Sequence, residues 1–261
     1  MIDLHCHLIP GVDDGPETLE DSVALARASV EAGIRTAVAT PHLDHRWEVP
    51  PEEIEPGVAR VRGALADAGI ELEVLCGAEI ALPRFGELSP AQLDMVRLGG
   101  GPYLLIESPH TPAAGDFHTF LRVLRKRGHA VLLAHPERCP TLQRRPDRVA
   151  ELVAAGVLCS VTSGALGGRF GGPVREFALE LLERGLVHNV ASDSHSAGLR
   201  GPDLLDGLAA ADAELPGILD QADWFTRAVP EAILAGRDLP PQPVPPQRRG
   251  GLRRLFARVR G

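Results

Sequence analysis

Short apolar, β-branched runs recur about every 30 residues along this chain of 261 residues, and their spacing constrains the fold more than any other feature. Near-continuous apolar runs of this length are typical of strands buried on both faces, as in a parallel sheet. Seven such segments lie at residues 1–5, 36–42, 72–80, 103–108, 130–138, 157–164 and 187–195. Helical patterns separate them, with glycines such as Gly33 and Gly128 where a helix is expected to end. The alternation predicts an α/β fold of βαβ units and favours a barrel over an open sheet.

Composition and charge narrow the class of protein. Apolar residues make up 44% and charged residues 24% of the chain, an ordinary globular composition with ample length for one large domain. The net charge is −8, although residues 241–261 hold six arginines and no acid, so the rest of the chain is more acidic than the total. An acidic body argues against nucleic-acid binding and suits a protein that holds divalent cations.

The last part of the chain differs in composition from the rest, because it is rich in proline and arginine. We expect one domain over residues 1–239 and a flexible, Pro/Arg-rich basic tail over residues 240–261, whose last dozen residues suit a basic amphipathic turn or two. A solvated tail is the expected state, with contact to a membrane surface or a partner as the alternative. No signal peptide follows Met1 and no apolar run approaches the roughly 18 residues of a membrane span, so the cytoplasm is the expected location.

Most of the predicted strands end in residues of metal-ligand type. Active sites of parallel α/β folds lie at the carboxyl ends of the strands, so these side chains are expected to converge on one mouth. The candidate ligands are His5, His7, Asp14, His42, Glu79, Glu107, His135, Asp193 and His195. Each one alone has an ordinary explanation, such as a hydrogen-bonded core histidine or a surface turn. Their shared position at strand ends favours a polynuclear metal site.

The mixture of ligands indicates which metals suit the site. Cysteine is missing from the set, which argues against a closed structural zinc site. Imidazole mixed with carboxylate suits Mn, Fe, Zn or Co, and nine ligands are enough for two or three ions. Arg138 and Arg200 follow His135 and His195 closely in the chain, and a guanidinium group matches phosphate oxygens. On position alone, phosphate binding and ordinary surface charge explain the two arginines equally well.

Eight motifs, taken together, identify a family resemblance. They are MIDLHCH, GVDDGP, ATPH, GAEI, LLIES, AHPER, TSGALGGRFG and ASDSH followed by LRGP, and the resemblance covers essentially residues 1–239. With them the chain resembles the PHP (polymerase and histidinol phosphatase) superfamily, and within it the bacterial manganese-dependent tyrosine-protein phosphatases that act on capsule and exopolysaccharide tyrosine kinases. The resemblance implies a distorted (β/α)7 barrel of TIM type, with its metals at the carboxyl ends of the strands.

The same resemblance implies three ions, Mn²⁺ first among them, and a role for each residue. One ion would be held by His5, His7, Glu79 and Asp193, a second by Glu79, Glu107 and His135, and a third by Asp14, His42 and His195. Arg138 and Arg200 match the family's phosphate-binding arginines. The implied activity is that of a phosphoric monoester hydrolase, a protein-tyrosine phosphatase in which a metal-bridging hydroxide attacks phosphorus. The implied partner is a phosphotyrosine protein, a bacterial tyrosine kinase.

Three alternatives stay open at this point. Cys139 and Arg145 have the C-x5-R spacing of a cysteine-dependent phosphatase, although Pro140 and the lack of glycine suit a phosphate cradle poorly. A PHP-type phosphatase of a small phosphomonoester, such as histidinol phosphate, would use the same metal site. The third alternative is a metal-binding module without catalysis. The general acid is also open, with His45 as one candidate.

Overall fold

The structure, a computed structural model, describes residues 1–111 and 117–248, and strands alternate with helices throughout these ranges. The strands are β1 (Ile2–Cys6), β2 (Thr36–Ala39), β3 (His42–Leu43), β4 (Glu73–Cys76), β5 (Glu79–Ile80), β6 (Tyr103–Glu107), β7 (Ala130–Ala134), β8 (Leu158–Thr162) and β9 (Asn189–Ala191). The α-helices are α1 (Leu19–Glu31), α2 (Ile54–Asp67), α3 (Leu82–Phe85), α4 (Pro90–Met95), α5 (Phe117–Lys126), α6 (Pro140–Arg144), α7 (Asp147–Ala154), α8 (Ser163–Leu166), α9 (Gly172–Glu183), α10 (Leu204–Asp212) and α11 (Val229–Ala235). Single helical turns lie at Pro51–Glu53, Leu98–Gly100, Pro136–Arg138, Leu219–Gln221 and Trp224–Ala228.

Hydrogen bonding arranges the strands in two parallel sheets. One has the order β1-β2-β4 and the other the order β3-β5-β6-β7-β8-β9. Every pair of neighbouring strands is parallel. The prediction of an α/β fold with parallel strands is therefore confirmed. A parallel bridge between Cys6 and Ser194 links the two sheets, so the strands of both present their carboxyl ends to the same side.

Two of the predicted strands each break into two. The segment 36–42 forms β2 and β3, and the segment 72–80 forms β4 and β5. Pro41 has no N–H to continue a ladder, although its carbonyl accepts a hydrogen bond from Glu79 N at 3.0 Å. At the matching break, a Cβ on Gly77 would lie 2.8 Å from Val38 Cγ1, so only glycine allows this approach. Both segments thereby cross from the first sheet to the second and carry His42 and Glu79 with them.

Strands β6 and β7, the central strands of the larger sheet, carry fully buried leucine and isoleucine side chains. Leu105 pairs with Leu132 and Ile106 with Leu133, and all four side chains are fully buried. Burying a side chain of this size stabilises the fold by roughly 1.5–3 kcal/mol relative to exposure. This packing fixes the ends of both strands, so the polar residues that follow them have defined positions.

Strand β1 is hydrogen-bonded to the segment after β9, which brings the two ends of the fold together. Asp193 N donates to His5 O at 2.9 Å, and His7 N donates to Ser194 O at 2.9 Å. The buried carboxylate of Asp3 accepts hydrogen bonds from both the backbone N–H and the hydroxyl of Ser192. The histidines of β1 therefore lie beside the Asp193 segment.

The described part of the tail, residues 240–248, has no helix or strand and lies against the domain. Gln242 Nε2 donates to Gly185 O at 2.9 Å, and Arg248 Nη1 donates to Glu176 Oε1 at 2.7 Å. The predicted amphipathic turns fall on residues 249–261, outside the described residues. Within the described ranges, none of the helices has both the length and the apolar character needed to cross a bilayer.

Candidate metal centre

The structure brings the nine candidate ligands together at the carboxyl ends of the strands. Ligand atoms within 4.8 Å of one another form five overlapping groups, which share members such as His7, Glu79 and His135. The groups are His7, Asp14, His42 and His195; His5, His7 and Asp193; His5, Glu79 and His135; His42, Glu79 and Glu107; and Glu107, His110 and His135. The overlap makes one continuous cluster in which several cations could bind side by side.

Glu79 lies at the middle of this cluster and is only 1% exposed. Its Oε2 atom is 3.0 Å from His42 Nδ1, 3.2 Å from His5 Nε2 and 3.6 Å from His7 Nε2. Its Oε1 atom is 2.6 Å from His135 Nε2. One carboxylate thus contacts four imidazoles that come from three different strand ends, as a bridging ligand would.

Buried polar atoms that lack hydrogen bonds test whether these residues fit a cation. His42 Nδ1, Glu79 Oε2 and His195 Nε2 are buried, yet none of them makes a well-directed hydrogen bond. The first two atoms lie only 3.0 Å apart, and His195 Nε2 lies 3.1 Å from Asp14 Oδ1. Buried polar atoms that are close without being hydrogen-bonded are costly unless a further partner satisfies them. Nitrogen and oxygen donors in this arrangement fit divalent cations of the Mn, Fe, Zn or Co type.

The backbone adopts a rare conformation at two of the strand ends. His135 and Asp193 have φ angles of 35° and 51°, in the left-handed region that residues other than glycine seldom adopt. Such a conformation costs of order 1–3 kcal/mol and is concentrated at functional sites. His135 immediately follows β7, and Asp193 follows β9 after one intervening residue. Both side chains contact the cluster.

Asp13 is a residue of this site that the sequence did not single out. Its Oδ2 lies 2.7 Å from His7 Nδ1 and accepts a hydrogen bond from His42 N at 3.1 Å. Its Oδ1 accepts from Gly15 N at 2.9 Å, which closes the turn. A carboxylate on the second ring nitrogen fixes the tautomer and orientation of a metal-binding histidine. Of the two aspartates in this turn, only Asp14 has a role predicted from the sequence, because no pattern in the chain shows that the neighbouring Asp13 contacts His7.

His110 and Ser108 also border the cluster and were missed. His110 Nε2 lies 3.4 Å from His135 Nδ1, and the Ser108 hydroxyl donates to His135 O at 2.8 Å. Both lie in the loop after β6, just past Glu107. A periodic pattern cannot place a loop residue, although a histidine three positions after a candidate ligand was a usable signal.

The two arginines meet at one edge of the cluster. Arg138 Nη1 donates to Asp193 Oδ2 at 2.8 Å, and Arg200 Nη2 lies 3.1 Å from the same oxygen. The guanidinium carbon of Arg138 lies 4.5 Å from the centre of the Phe170 ring, which restricts its plane. Two guanidinium groups beside a metal cluster form a suitable surface for phosphoryl oxygens. Phosphate binding by them stays a prediction.

Charges within the cluster shift its pKa values in opposite directions. Burial raises the pKa of Glu79, but the imidazoles of His5, His42 and His135 outweigh burial and hold this pKa well below its usual range. Burial, reinforced by the charge of Glu79, raises the pKa of Glu107 to about 8. Two neighbouring carboxylates thus compete for limited positive charge, which a bound cation would supply.

A similar imbalance exists around Asp14. Its contacts with the imidazoles of His195 and His42 hold the pKa of Asp14 far below its usual range. Burial lowers the pKa of His42, but Glu79 and Asp14 outweigh burial and raise it to about 12. Burial and the neighbouring His7 lower the pKa of His195 to about 4, so this imidazole is neutral at neutral pH. Cation binding at such a site releases the protons that compete for the ligands.

Two other sequence candidates lie apart from this chemistry. Cys139 is buried, and burial raises the pKa of its thiol, which opposes the thiolate that a cysteine-dependent phosphatase needs. The C-x5-R segment ends at the exposed Arg145 and contains helix α6 instead of a phosphate-binding loop. His45 Nε2 lies 2.9 Å from Glu87 Oε1 on the surface and belongs to none of the five ligand groups.

Comparison with known proteins places the chain among relatives of one kind. YwqE of Bacillus subtilis (strain 168), a tyrosine-protein phosphatase, is 33% identical over 94% of this chain and 96% of its own length. CpsB of Streptococcus pneumoniae, also a tyrosine-protein phosphatase, is 33% identical over 77% of this chain and 86% of its own length.

Solved structures show the same relationship. A crystal structure from work on YwqE of B. subtilis and CpsB of S. pneumoniae, described as unique metal-dependent tyrosine phosphatases, superposes with a TM-score of 0.81 at 32% identity. It covers 95% of this chain and 99% of that one. A lactonase from Listeria monocytogenes, 12% identical with a TM-score of 0.54 over 91% of this chain and 95% of its own, shares the fold.

The family described as "Capsular polysaccharide synthesis, CpsB/CapC" matches residues 1–215, which include every candidate ligand and both arginines. This match and the relatives above confirm the resemblance that the eight motifs indicated. The chain therefore belongs to the CpsB/CapC family of capsular polysaccharide synthesis proteins.

Proposed function

We propose that this protein is a metal-dependent protein-tyrosine phosphatase. The observation that carries the proposal is the buried cluster of histidines and carboxylates around Glu79, with Arg138 and Arg200 converging at its edge. Relatives that span most of the chain are named tyrosine-protein phosphatases, which supports phosphotyrosine over a small phosphomonoester as the substrate. The CpsB/CapC family link to capsule synthesis supports a bacterial tyrosine kinase as the partner. A cytoplasmic location is part of the same proposal.

Three Mn²⁺ ions are the proposed cofactor. His5, His7, Glu79 and Asp193 would hold one ion; Glu79, Glu107 and His135 a second; and Asp14, His42 and His195 a third. The overlapping groups of ligand atoms support several ions with Glu79 shared between two of them. His110, which lies in a group with Glu107 and His135, is an additional candidate ligand for the second ion.

Bound divalent cations supply Lewis-acid stabilisation of negative charge and a source of hydroxide at neutral pH. The chain's own residues supply position and charge. Arg138 and Arg200 bind phosphoryl oxygens and orient the phosphorus atom over the cluster, and the Phe170 ring keeps the Arg138 guanidinium in place. Phosphoryl transfer requires mostly such positioning and charge neutralisation. A tyrosine leaving group, with a pKa of about 10, leaves without a strong general acid.

We also propose that the two sheets close into the distorted (β/α)7 barrel that the family resemblance implies. The link between β1 and the Ser192–Ser194 segment joins the outer strand of one sheet to the chain that follows the outer strand of the other. Residues 1–239 would then form the phosphatase domain, with residues 240–261 as its basic tail.

Substrate choice tests the proposed function directly. We expect the manganese-loaded protein to hydrolyse a phosphotyrosine peptide with a kcat/KM well above that for histidinol phosphate, because the arginines bind the phosphoryl group while the aromatic leaving group departs readily. Phosphate release from the two substrates under identical conditions measures the ratio. A ratio in favour of histidinol phosphate would replace the proposed substrate class, and hydrolysis of neither would reject the phosphatase.

Replacing Asp13 tests whether its carboxylate orients His7 for metal binding. We expect Asp13→Asn to weaken manganese binding by about 10–100-fold, because loss of a carboxylate behind a metal-bound histidine typically has an effect of this size. Calorimetric titration with Mn²⁺ measures the affinity, and Asp67→Asn on the exposed end of α2 is the matched control. An unchanged affinity would show that Asp13 does not orient His7.

A further inference from the structure

A surface cleft lies beside the proposed metal centre, between the first turn of α5 and the segment that joins α6 to α7. Its volume is about 720 Å³, and its charged lining consists of Arg144, Arg145, Arg148, His118, Asp147 and Glu151. We call it the arginine cleft. None of these residues belongs to the candidate metal ligands or to the proposed phosphate-binding pair.

The arginine cleft carries excess positive charge. Its three arginines outnumber its two acids, and of these Asp147 Oδ1 lies 2.9 Å from Arg184 Nη2 and Glu151 Oε2 lies 3.0 Å from His118 Nε2. Within residues 1–111 and 117–248, no carboxylate forms an ion pair with Arg144, Arg145 or Arg148 (every salt bridge there involves other cations). Three unpaired guanidinium groups on one concave surface of an acidic protein form a suitable site for an anion.

A second feature relates the arginine cleft to the loops that carry the candidate ligands. A smaller recess, lined in part by Pro109, His118, Cys139 and Arg148, shares two residues with it. Pro109 precedes His110, whose ring centroid lies 5.0 Å from that of His135, and Cys139 follows the proposed phosphate-binding arginine. The recess therefore reaches residues that adjoin, in the chain, the loops after β6 and β7 on which the candidate ligands lie.

The chain between the two sites sets their separation. Helix α6 begins two residues after Arg138 and has five residues, and a helix rises about 1.5 Å per residue. Arg144 is therefore roughly 10 Å from Arg138 along the chain, a span that about three to four residues of an extended peptide cover. On this separation, the cleft lies within reach of a peptide that is bound through its phosphotyrosine.

We propose that the arginine cleft binds a second anionic group of the substrate peptide, about three to four residues from the phosphotyrosine that is hydrolysed. The inference rests on the proposed function and adds the substrate class: acidic or multiply phosphorylated tyrosine peptides. A carboxylate side chain and a second phosphotyrosine share the required chemistry, since each accepts the paired N–H donors of guanidinium.

The test compares peptides within each enzyme. Phosphotyrosine peptides carry glutamine, glutamate or a second phosphotyrosine three and four residues away, on the amino or the carboxyl side. For the wild type we expect kcat/KM for one acidic series to exceed that of its glutamine counterpart about tenfold, mainly through KM, because several exposed ion pairs, each of them weak, would add up. The glutamate and phosphotyrosine arms separate the two sources of the anion.

Two kinds of variant assign this preference to the cleft. The first is a triple variant with Arg144→Gln, Arg145→Gln and Arg148→Gln. In it, the ratio of kcat/KM for acidic peptides to kcat/KM for neutral peptides is expected to fall to about one. A charge-matched control, Arg27→Gln, Arg60→Gln and Arg127→Gln, changes exposed arginines elsewhere and should keep the ratio. The single variant Arg145→Glu, at an exposed position, should instead prefer a peptide with lysine at the same place.

The outcomes separate this inference from the proposed function. Equal kcat/KM for acidic and neutral peptides in the wild type would overturn the inference while the phosphatase stands. An equal loss of preference in the control variant would assign it to the overall charge of the protein and would also overturn the inference. Failure of the manganese-loaded wild type to hydrolyse any phosphotyrosine peptide would reject the proposed function itself.

Discussion

Glu79→Gln is expected to lower phosphotyrosine hydrolysis by about a thousandfold, because metal stabilisation of charge contributes several kcal/mol and about 1.4 kcal/mol corresponds to a factor of ten. Glutamine has nearly the same shape as glutamate, so packing is preserved while the negative charge is lost. That charge lies between four imidazoles and, in the proposed site, between two ions. Bound manganese per chain should decrease together with turnover.

The control for Glu79→Gln is the same substitution at a glutamate outside the cluster. Glu71→Gln replaces an exposed glutamate just before the amino end of β4, away from the carboxyl ends of the strands, and should leave both turnover and manganese content unchanged. Circular dichroism of both variants checks that the fold is retained. If Glu79→Gln kept the full manganese content and activity, the assignment of Glu79 as the shared ligand would be wrong.

Arg138→Ala and Arg200→Ala should each lower kcat/KM by about 100–1000-fold, the usual effect of removing one donor to a transition-state oxygen. Manganese content should stay the same, because neither side chain is a ligand. Arg138→Lys should recover only part of the activity, since an ammonium group lacks the planar fork that binds two oxygens. Kinetics on a phosphotyrosine peptide, combined with metal analysis of the same samples, separates these effects.

Arg127→Ala, on the exposed surface after α5, is the control for loss of a positive charge. Activity equal to the wild type in Arg138→Ala and Arg200→Ala would remove the arginines from the mechanism. A parallel loss of manganese in both would show that they act by holding Asp193, which they contact, instead of the substrate.

The position of the metal site followed from the sequence because a parallel sheet relates distant residues by a simple rule. Glu107 and His135 lie 28 positions apart in the chain, yet each falls at or just after the end of a neighbouring strand. A run of apolar residues fixes where such a strand ends, and the next polar residue is then placed at the mouth. The same rule applied to His5, Glu79 and Asp193.

Backbone conformations and strand breaks could not be predicted from the apolar pattern. The left-handed conformations of His135 and Asp193 are imposed by tertiary contacts, and neither residue type signals them. The breaks at Pro41 and Gly77 depend on which strand each segment pairs with. The apolar pattern alone reads both segments as single strands.

The roles of several loop residues could not be predicted from the sequence either. Asp13 and Asp14 are adjacent and chemically identical, and only the folded turn gives one a contact with His7 and the other a contact with His195. Arg144, Arg145 and Arg148 look like general surface charge in an arginine-rich chain. Their lack of acidic partners in the described residues emerges only when the neighbouring elements are in place.

Metal ions held by the cluster around Glu79 are expected to be required for phosphotyrosine hydrolysis. The most direct measurement is turnover of a phosphotyrosine peptide by protein stripped with EDTA and then titrated with Mn²⁺, while bound manganese per chain is determined on the same samples. We predict no turnover in the stripped protein and recovery in step with manganese binding, up to three ions per chain. Full turnover by protein shown to be free of metal would contradict the account.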